Sequence, residues 1–259
     1  IFSSKLRAQK EYLLYSGCIF FDIIFGLTYT IAAVYRFLLA WNNTYFPLFT
    51  TYQCILTPHI ILFVYITPGA GVLVFVCSID RLFGVFFPIK YMKTTANYVI
   101  ILFSITFTIP LLMLIASIIT SSRANTIHNQ QATCTTAQGT TADMYMMLRL
   151  TRVVGSCACA VVYIPIFARI YMNIHAMSRA QVSSNSTKKL LRTTSTVVLI
   201  TLNTILLFTT PDIILLINPK TTSNFFYILN LNKGVVNLVI FFATQHTLRE
   251  AFLSFIKCR

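Results

Sequence analysis

Charge is scarce in this sequence. Asp, Glu, Lys and Arg together make up 10% of its 259 residues, where a soluble domain carries about 25%. So little charge cannot face water on all sides, which excludes a cytosolic enzyme, a disordered chain and a secreted disulfide scaffold alike. Acids are scarcer than bases: 6 Asp and Glu stand against 20 Lys and Arg, for a net charge of +14. Tryptophan occurs once, at Trp41, and glycine only 8 times. No internal repeat is visible, and the opening residues do not read as a cleavable signal peptide. What the chain has in abundance is apolar, with 56% of its residues hydrophobic. It reads as an integral membrane protein whose basic residues orient its loops, and not as a nucleic-acid binder.

A bilayer core about 30 Å thick takes ~20 apolar residues per helical crossing. Six runs reach that length, at 12–39, 55–79, 97–119, 147–172, 193–217 and 224–244. None alternates as a membrane β-strand does, so the expected fold is all-α, a polytopic helix bundle. Fourteen of the Lys and Arg residues, among them Lys5, Arg81, Lys93, Lys188, Arg192 and Arg259, fall on one side of these crossings. The other side holds six: Arg36, Arg123, Arg149, Arg152, Lys220 and Lys233. The basic side is cytoplasmic by the positive-inside rule, and an even number of crossings places both termini there. Asn42-Asn43-Thr44 is then a glycosylation sequon on the outer side, while Asn185-Ser186-Thr187 is cytoplasmic and silent.

Of 7 cysteines, only Cys54 and Cys134 fall where oxidation is favoured, at the outer mouth of the second run and in the long outer loop. A bridge between them would tie the loop across the helix top, with two free thiols as the alternative. Cys157-Ala158-Cys159 lacks the partners of a metal site, and Cys258 ends an amphipathic segment, which makes it a candidate for palmitoylation. Ionisable groups inside a crossing are costly and mark function by default. Asp22 sits midway along the first run, Asp80-Arg81 at the cytoplasmic end of the second, Asp212 beside Pro211 in the fifth, and Lys233 one turn from Asn237 in the sixth.

The stretch Asp80-Arg81-Leu82-Phe83-Gly84-Val85-Phe86-Phe87-Pro88-Ile89-Lys90-Tyr91 resembles the end of the third helix and the second cytoplasmic loop of a rhodopsin-like G-protein-coupled receptor. Asp-Arg-Leu followed by Phe-Pro-Ile-x-Tyr is most similar to nematode serpentine chemoreceptors of the Srsx type. The resemblance extends over the whole chain, 1–259, as one receptor domain. It makes the six runs the family's second to seventh helices and implies that the first helix is absent from this sequence. It assigns Asp80, Arg81, Val85, Phe86, Pro88 and Tyr91 to activation and G-protein coupling, and Cys54–Cys134 to the bridge between the third helix and the outer loop. Pro211 becomes the sixth-helix kink, Asn237 to Phe241 the seventh-helix Asn-Pro-x-x-Tyr position, and 247–256 a short amphipathic eighth helix. Leu238 replaces that motif's proline, and no acid stands at the base of the sixth helix in Lys188 to Arg192.

By this resemblance an extracellular ligand drives a swing of the inner sixth helix about Pro211, and Arg81 then meets a heterotrimeric G protein. Asp22, Lys233 and Asn237 form the polar bundle centre, where Lys233 is expected to bridge to Asp22 in place of a sodium ion. No metal, cofactor or catalytic residue is expected. The outer half offers His59, Tyr65, Thr67, Arg149, Arg152, Thr209 and Asp212 to a ligand. The third helix lacks a carboxylate in 55–79, which argues against a biogenic amine and leaves a small molecule or a peptide. The implied location is the plasma membrane, including sensory cilia. The alternative is a six-helix transporter, but the Pro-x-acidic-x-x-basic signature of the carriers is missing and glycines are few for rocking helices.

Overall fold

A computed structural model of the chain describes residues 10–42, 48–124, 130–180, 196, 198–217 and 224–244. The helices, in chain order, are α1 (Lys10–Trp41), α2 (Thr51–Ile55), α3 (Pro58–Phe86), α4 (Pro88–Lys93), α5 (Ala96–Arg123), α6 (Thr136–Gly139) and α7 (Ala142–Ala180). A helical segment over 198–204 then widens into a π-helical turn, Ile205–Thr209, before α8 (Thr210–Ile217) and α9 (Asn224–Thr244). Among the described residues, five stretches are long and apolar enough to cross a membrane: Ser16–Trp41, Pro58–Phe86, Asn97–Arg123, Ala142–Met172 and Val198–Leu215. A shorter apolar stretch, Asn232–Thr244, lies in α9. Helices answer the need to satisfy every backbone amide within its own segment where lipid offers no partner. Pro68, Pro110 and Pro165 all lie inside such helices, as membrane helices tolerate.

Several boundaries depart from the apolar runs: α7 overruns 147–172 at both ends and α5 continues past 119 to Arg123. The second crossing opens at Pro58 and not at 55, because Thr50 caps a separate short helix. Its hydroxyl accepts from the Gln53 amide at 3.1 Å while its own amide donates to Gln53 Oε1 at 3.0 Å. The same crossing continues past 79 to Phe86, since the charges of Asp80 and Arg81 neutralise each other and do not break the helix. The bundle is not wholly helical either. β1 (Leu48–Phe49) and β2 (Gln130–Gln131) pair antiparallel, Leu48 opposite Gln131 and Phe49 opposite Gln130. Residues 247–256 and Cys258 lie outside the described residues.

The chain forms two compact units. One comprises Ile1–Gly17, Val74–Leu102 and Gly155–Arg259; the other comprises Cys18–Leu73 and Phe103–Val154. The second unit is cored by Cys54, Ile55, Ile60, Val64, Cys134 and Leu148, with Phe49, Tyr52, Met113 and Ile118 packed against them. Its helices approach closely, backbone to backbone, at Gly71. A Cβ on Gly71 would stand 2.7 Å from the Arg152 Cα and 2.8 Å from its carbonyl oxygen. In the first unit, Val76, Cys77, Val99, Tyr163, Ile166 and Ile200 are buried. Of the crossing stretches Pro58–Phe86 is 61% buried and Val198–Leu215 41%, against 22% for Ser16–Trp41, Asn97–Arg123 and Ala142–Met172, so α3 leaves the least apolar surface for lipid.

The Gly71 contact is with backbone, which cannot step aside as a side chain can. Gly71→Ala is expected to lower the thermal stability of the detergent-solubilised protein by about 1–3 kcal/mol, the usual cost of overpacking. Gly26→Ala, where nothing lies within 4 Å of the added carbon, is expected to be neutral or stabilising in the same melting experiment.

Candidate functional site

Adjacent helical residues point about a quarter-turn or more apart, so Asp80 and Arg81 do not meet by helix geometry alone. Arg81 curls back along its own stem, and its Nε donates to Asp80 Oδ2 at 3.0 Å while Nη2 donates to the same oxygen. Only 4% of Arg81 and 1% of Asp80 is exposed, so the pair is a buried one. Leu82, in the place of the family's tyrosine, brings no hydroxyl. A tyrosine comes instead from α4: Tyr91 OH accepts from Arg81 Nη2 at 3.2 Å and donates to Asp80 Oδ2 at 3.3 Å. The Tyr98 hydroxyl also approaches Asp80. Phe83 closes the aromatic wall, 6.0 Å from the Tyr91 ring and 5.9 Å from that of Tyr98. Thr94 ends α4 with its hydroxyl on the Tyr91 carbonyl at 2.7 Å.

Pro88 opens α4 at a position where its missing amide costs nothing, and the turn it sets decides which apolar side chains face outward. Val85, expected to contact a G protein, is 5% exposed and packs inward. Phe86 is 40% exposed, Phe87 51% and Ile89 73%, and Lys90 Nζ lies 5.6 Å over the Phe87 ring. Phe87 and Ile89 were hidden in the sequence because the helical phase breaks between α3 and α4. Both could have been suspected from the proline that resets it.

In the first unit, Lys233 and Asn237 are buried on α9. Sequence reasoning missed the residue that meets them. Asn203, in the 198–204 segment, donates from Nδ2 to Asn237 Oδ1 at 2.8 Å and to the Lys233 carbonyl at 3.2 Å. Its signal was a lone amide in an apolar run, which demands a partner in lipid. Just beyond it, Thr209 and Thr210 donate their hydroxyls to the carbonyls of Thr204 and Ile205, at 3.4 and 2.9 Å. Just before Pro211, where a kink is expected, the helix widens into a π turn whose threonines occupy carbonyls that the wider helix leaves exposed. Pro211, Thr209 and Asp212 are all buried. Asp22 is half-buried on α1, in the second unit.

The second unit carries the outer loop. Cys54 and Cys134 are bonded, with Cα atoms 5.4 Å apart. Cys134 has φ of 35°, a left-handed conformation that costs a non-glycine residue about 1–2 kcal/mol. His59, expected to face a ligand, is instead part of the loop's support. It is 1% exposed, its Nε2–H donates to the Cys134 carbonyl at 3.3 Å, and its ring stacks on Tyr35 at 4.8 Å. Tyr35 in turn donates to the Ala132 carbonyl at 3.1 Å. Tyr65 and Thr67 are half-buried on α3. On α7, the Arg149 guanidinium lies 4.5 Å over the Tyr145 ring, and Arg152 is buried. Asn42 is exposed at the end of α1, but the rest of its sequon lies outside the described residues. No group of three or more His, Cys, Asp or Glu among the described residues is placed to hold a metal.

Tyr91 is bonded to both members of the buried pair, so removing its hydroxyl tests the cluster directly. Tyr91→Phe is expected to cost about 0.5–1.5 kcal/mol of stability, read as a lower melting temperature in detergent. The cost should shrink when the change is made on an Asp80→Asn background.

The chain thus carries a buried Asp-Arg pair closed by a tyrosine of the following helix, a disulfide-tied loop and a π turn just before Pro211 in an apolar helix. No curated protein matches it. Over residues 1–252 the chain matches the family described as serpentine type 7TM GPCR chemoreceptor Srsx. The protein belongs to the Srsx family of serpentine seven-transmembrane G-protein-coupled chemoreceptors.

Proposed function

We propose that residues 1–259 act as one chemosensory receptor domain of the plasma membrane, that of sensory cilia included, coupling an extracellular ligand to a heterotrimeric G protein. The Asp80–Arg81–Tyr91 cluster carries this reading. An arginine cannot discharge itself, so in the resting protein Asp80 and Tyr91 hold it. Ligand binding outside swings the inner sixth helix about Pro211, and Arg81 leaves Asp80 for the G protein. Phe86, Phe87, Pro88 and Ile89 supply the apolar contact beside it, an exposed strip with Lys90 and Lys93 at its edge. Energetically this is a population shift, in which the ligand binds the open form better than the closed one. Asp22, Lys233 and Asn237 belong to the polar interior that the shift must rearrange. The family assignment supports this receptor over the six-helix transporter.

The ligand is a small molecule of low polarity or a peptide. Residues 58–79 of α3 carry no carboxylate to pair an ammonium, and the outer side chains on offer in the second unit are Tyr65, Thr67, Arg149 and Arg152. Asn42 is the proposed glycosylation site.

Ile89 is the most exposed of the apolar residues from Phe86 to Ile89, at 73%, which makes it the clean test. In nanodiscs with purified heterotrimers of each Gα class, the wild-type protein should raise basal nucleotide exchange on at least one class. Ile89→Asp should abolish that increase while leaving the melting temperature within about a degree's worth of surface-mutation scatter, ±0.5 kcal/mol. An unchanged exchange rate in Ile89→Asp would remove this loop from the coupling surface.

A further inference from the structure

The sixth helix has no acid to hold Arg81: from 144 to 211 the sequence contains neither Asp nor Glu. Something else must keep the inner half of that helix in place while the receptor rests. Asn203 stands on the cytoplasmic flank of the π turn Ile205–Thr209, one residue before Thr204 opens it. Both hydrogens of its amide are spent on a single neighbour, one on the Asn237 side chain and one on the Lys233 backbone carbonyl, across 34 and 30 residues of sequence. Asn203 is 7% exposed and Asn237 2%, so water does not compete for these bonds in the resting form. The turn above it is of a different kind. Its hydroxyl–carbonyl bonds, Thr209 to Thr204 and Thr210 to Ile205, lie within one helix and can be kept while the helix bends.

We propose that Asn203 is the resting-state clamp of this receptor, tying the 198–204 segment to α9, and that release of its amide from Asn237 and the Lys233 carbonyl frees the swing about the π turn. The mechanical logic is a hinge with a latch on its moving side. A bond on the outer flank would leave the inner half free, whereas this one must break before residues 198–204 move away from α9. Asn203 acts through helix position and touches neither ligand nor G protein, so it is a positioning residue. The signalling half of the proposal rests on the receptor reading given above; the clamp itself does not.

The test uses the full-length protein in nanodiscs with two readouts. The first is basal nucleotide exchange on purified heterotrimers of each Gα class. The second needs no G protein: the distance between spin labels at Val198 and Thr94, on a background with the free cysteines replaced. Asn203→Leu and Asn237→Leu should each shift the resting equilibrium toward the open form by about 2- to 10-fold, the range for losing one or two hydrogen bonds. Exchange should rise and a longer label distance should appear. The double variant should exceed the larger single effect little, because both changes cut the same bond. An Asn203→Cys/Asn237→Cys pair, oxidised, should suppress exchange and regain it on reduction; this also covers the case in which Asn203→Leu does not fold. A longer distance without exchange in any variant upholds the clamp and sinks the G-protein reading. Unchanged distance in Asn203→Leu, or failure of the cysteine pair to bridge, overturns the clamp.

Discussion

Arg81 keeps its charge at any pH a cell presents, yet it is 4% exposed near the end of the most buried helix. A charge so placed must be answered by the protein itself, and the surroundings follow from that. Asp80 answers it through one carboxylate oxygen, and Tyr91 ties both ends of the pair to α4. The loop after α3 is thereby drawn back as a helix instead of trailing into water. That fold-back leaves Phe87 and Ile89 exposed beside Phe86, while Val85 stays buried on α3. The exposed apolar strip is thus a consequence of neutralising one guanidinium.

The same scarcity of water governs the apolar helices. Hydroxyls within them find carbonyls of their own helix a turn away: Thr28 on Ile24, Ser117 on Met113, Thr120 on Ala116, Thr151 on Met147, Thr204 on Ile200. These bonds settle a polar group without recruiting a neighbour. Around the π turn the bonds reach five residues back instead of four, because Pro211 has no amide to give and its ring displaces the preceding carbonyl. Where a polar group has no local carbonyl to use, it reaches between helices, and Asn203 is the clear instance. Polar residues of the first kind hold a helix to itself, and those of the second hold helices to each other. Only the second kind can report a movement.

Outside the lipid the logic is different. The outer loop is held by a covalent bond, a short strand pair and two stacked rings, His59 and Tyr35, each on a loop carbonyl. Together they keep Cys134 in a conformation that it would not choose alone. A loop so fastened is a fixed roof, and a histidine that looked available to a ligand is spent on holding it up.

The amino-acid sequence by itself determined the class of the molecule and where its apolar helices run. Those depend on length, hydropathy and charge, which are additive along a chain. Asp80-Arg81 and its distant tyrosine were legible too, since a motif is local. The tertiary structure decided what depends on angular phase and on meetings between remote segments. Phe87 and Ile89 face outward because Pro88 restarts the helix in a new phase. Helix ends moved because a capping threonine or a self-neutralised pair overrides hydropathy. Asn203 gained its meaning only when a residue 34 positions away came within 2.8 Å, and no pattern along one strand of text encodes that distance.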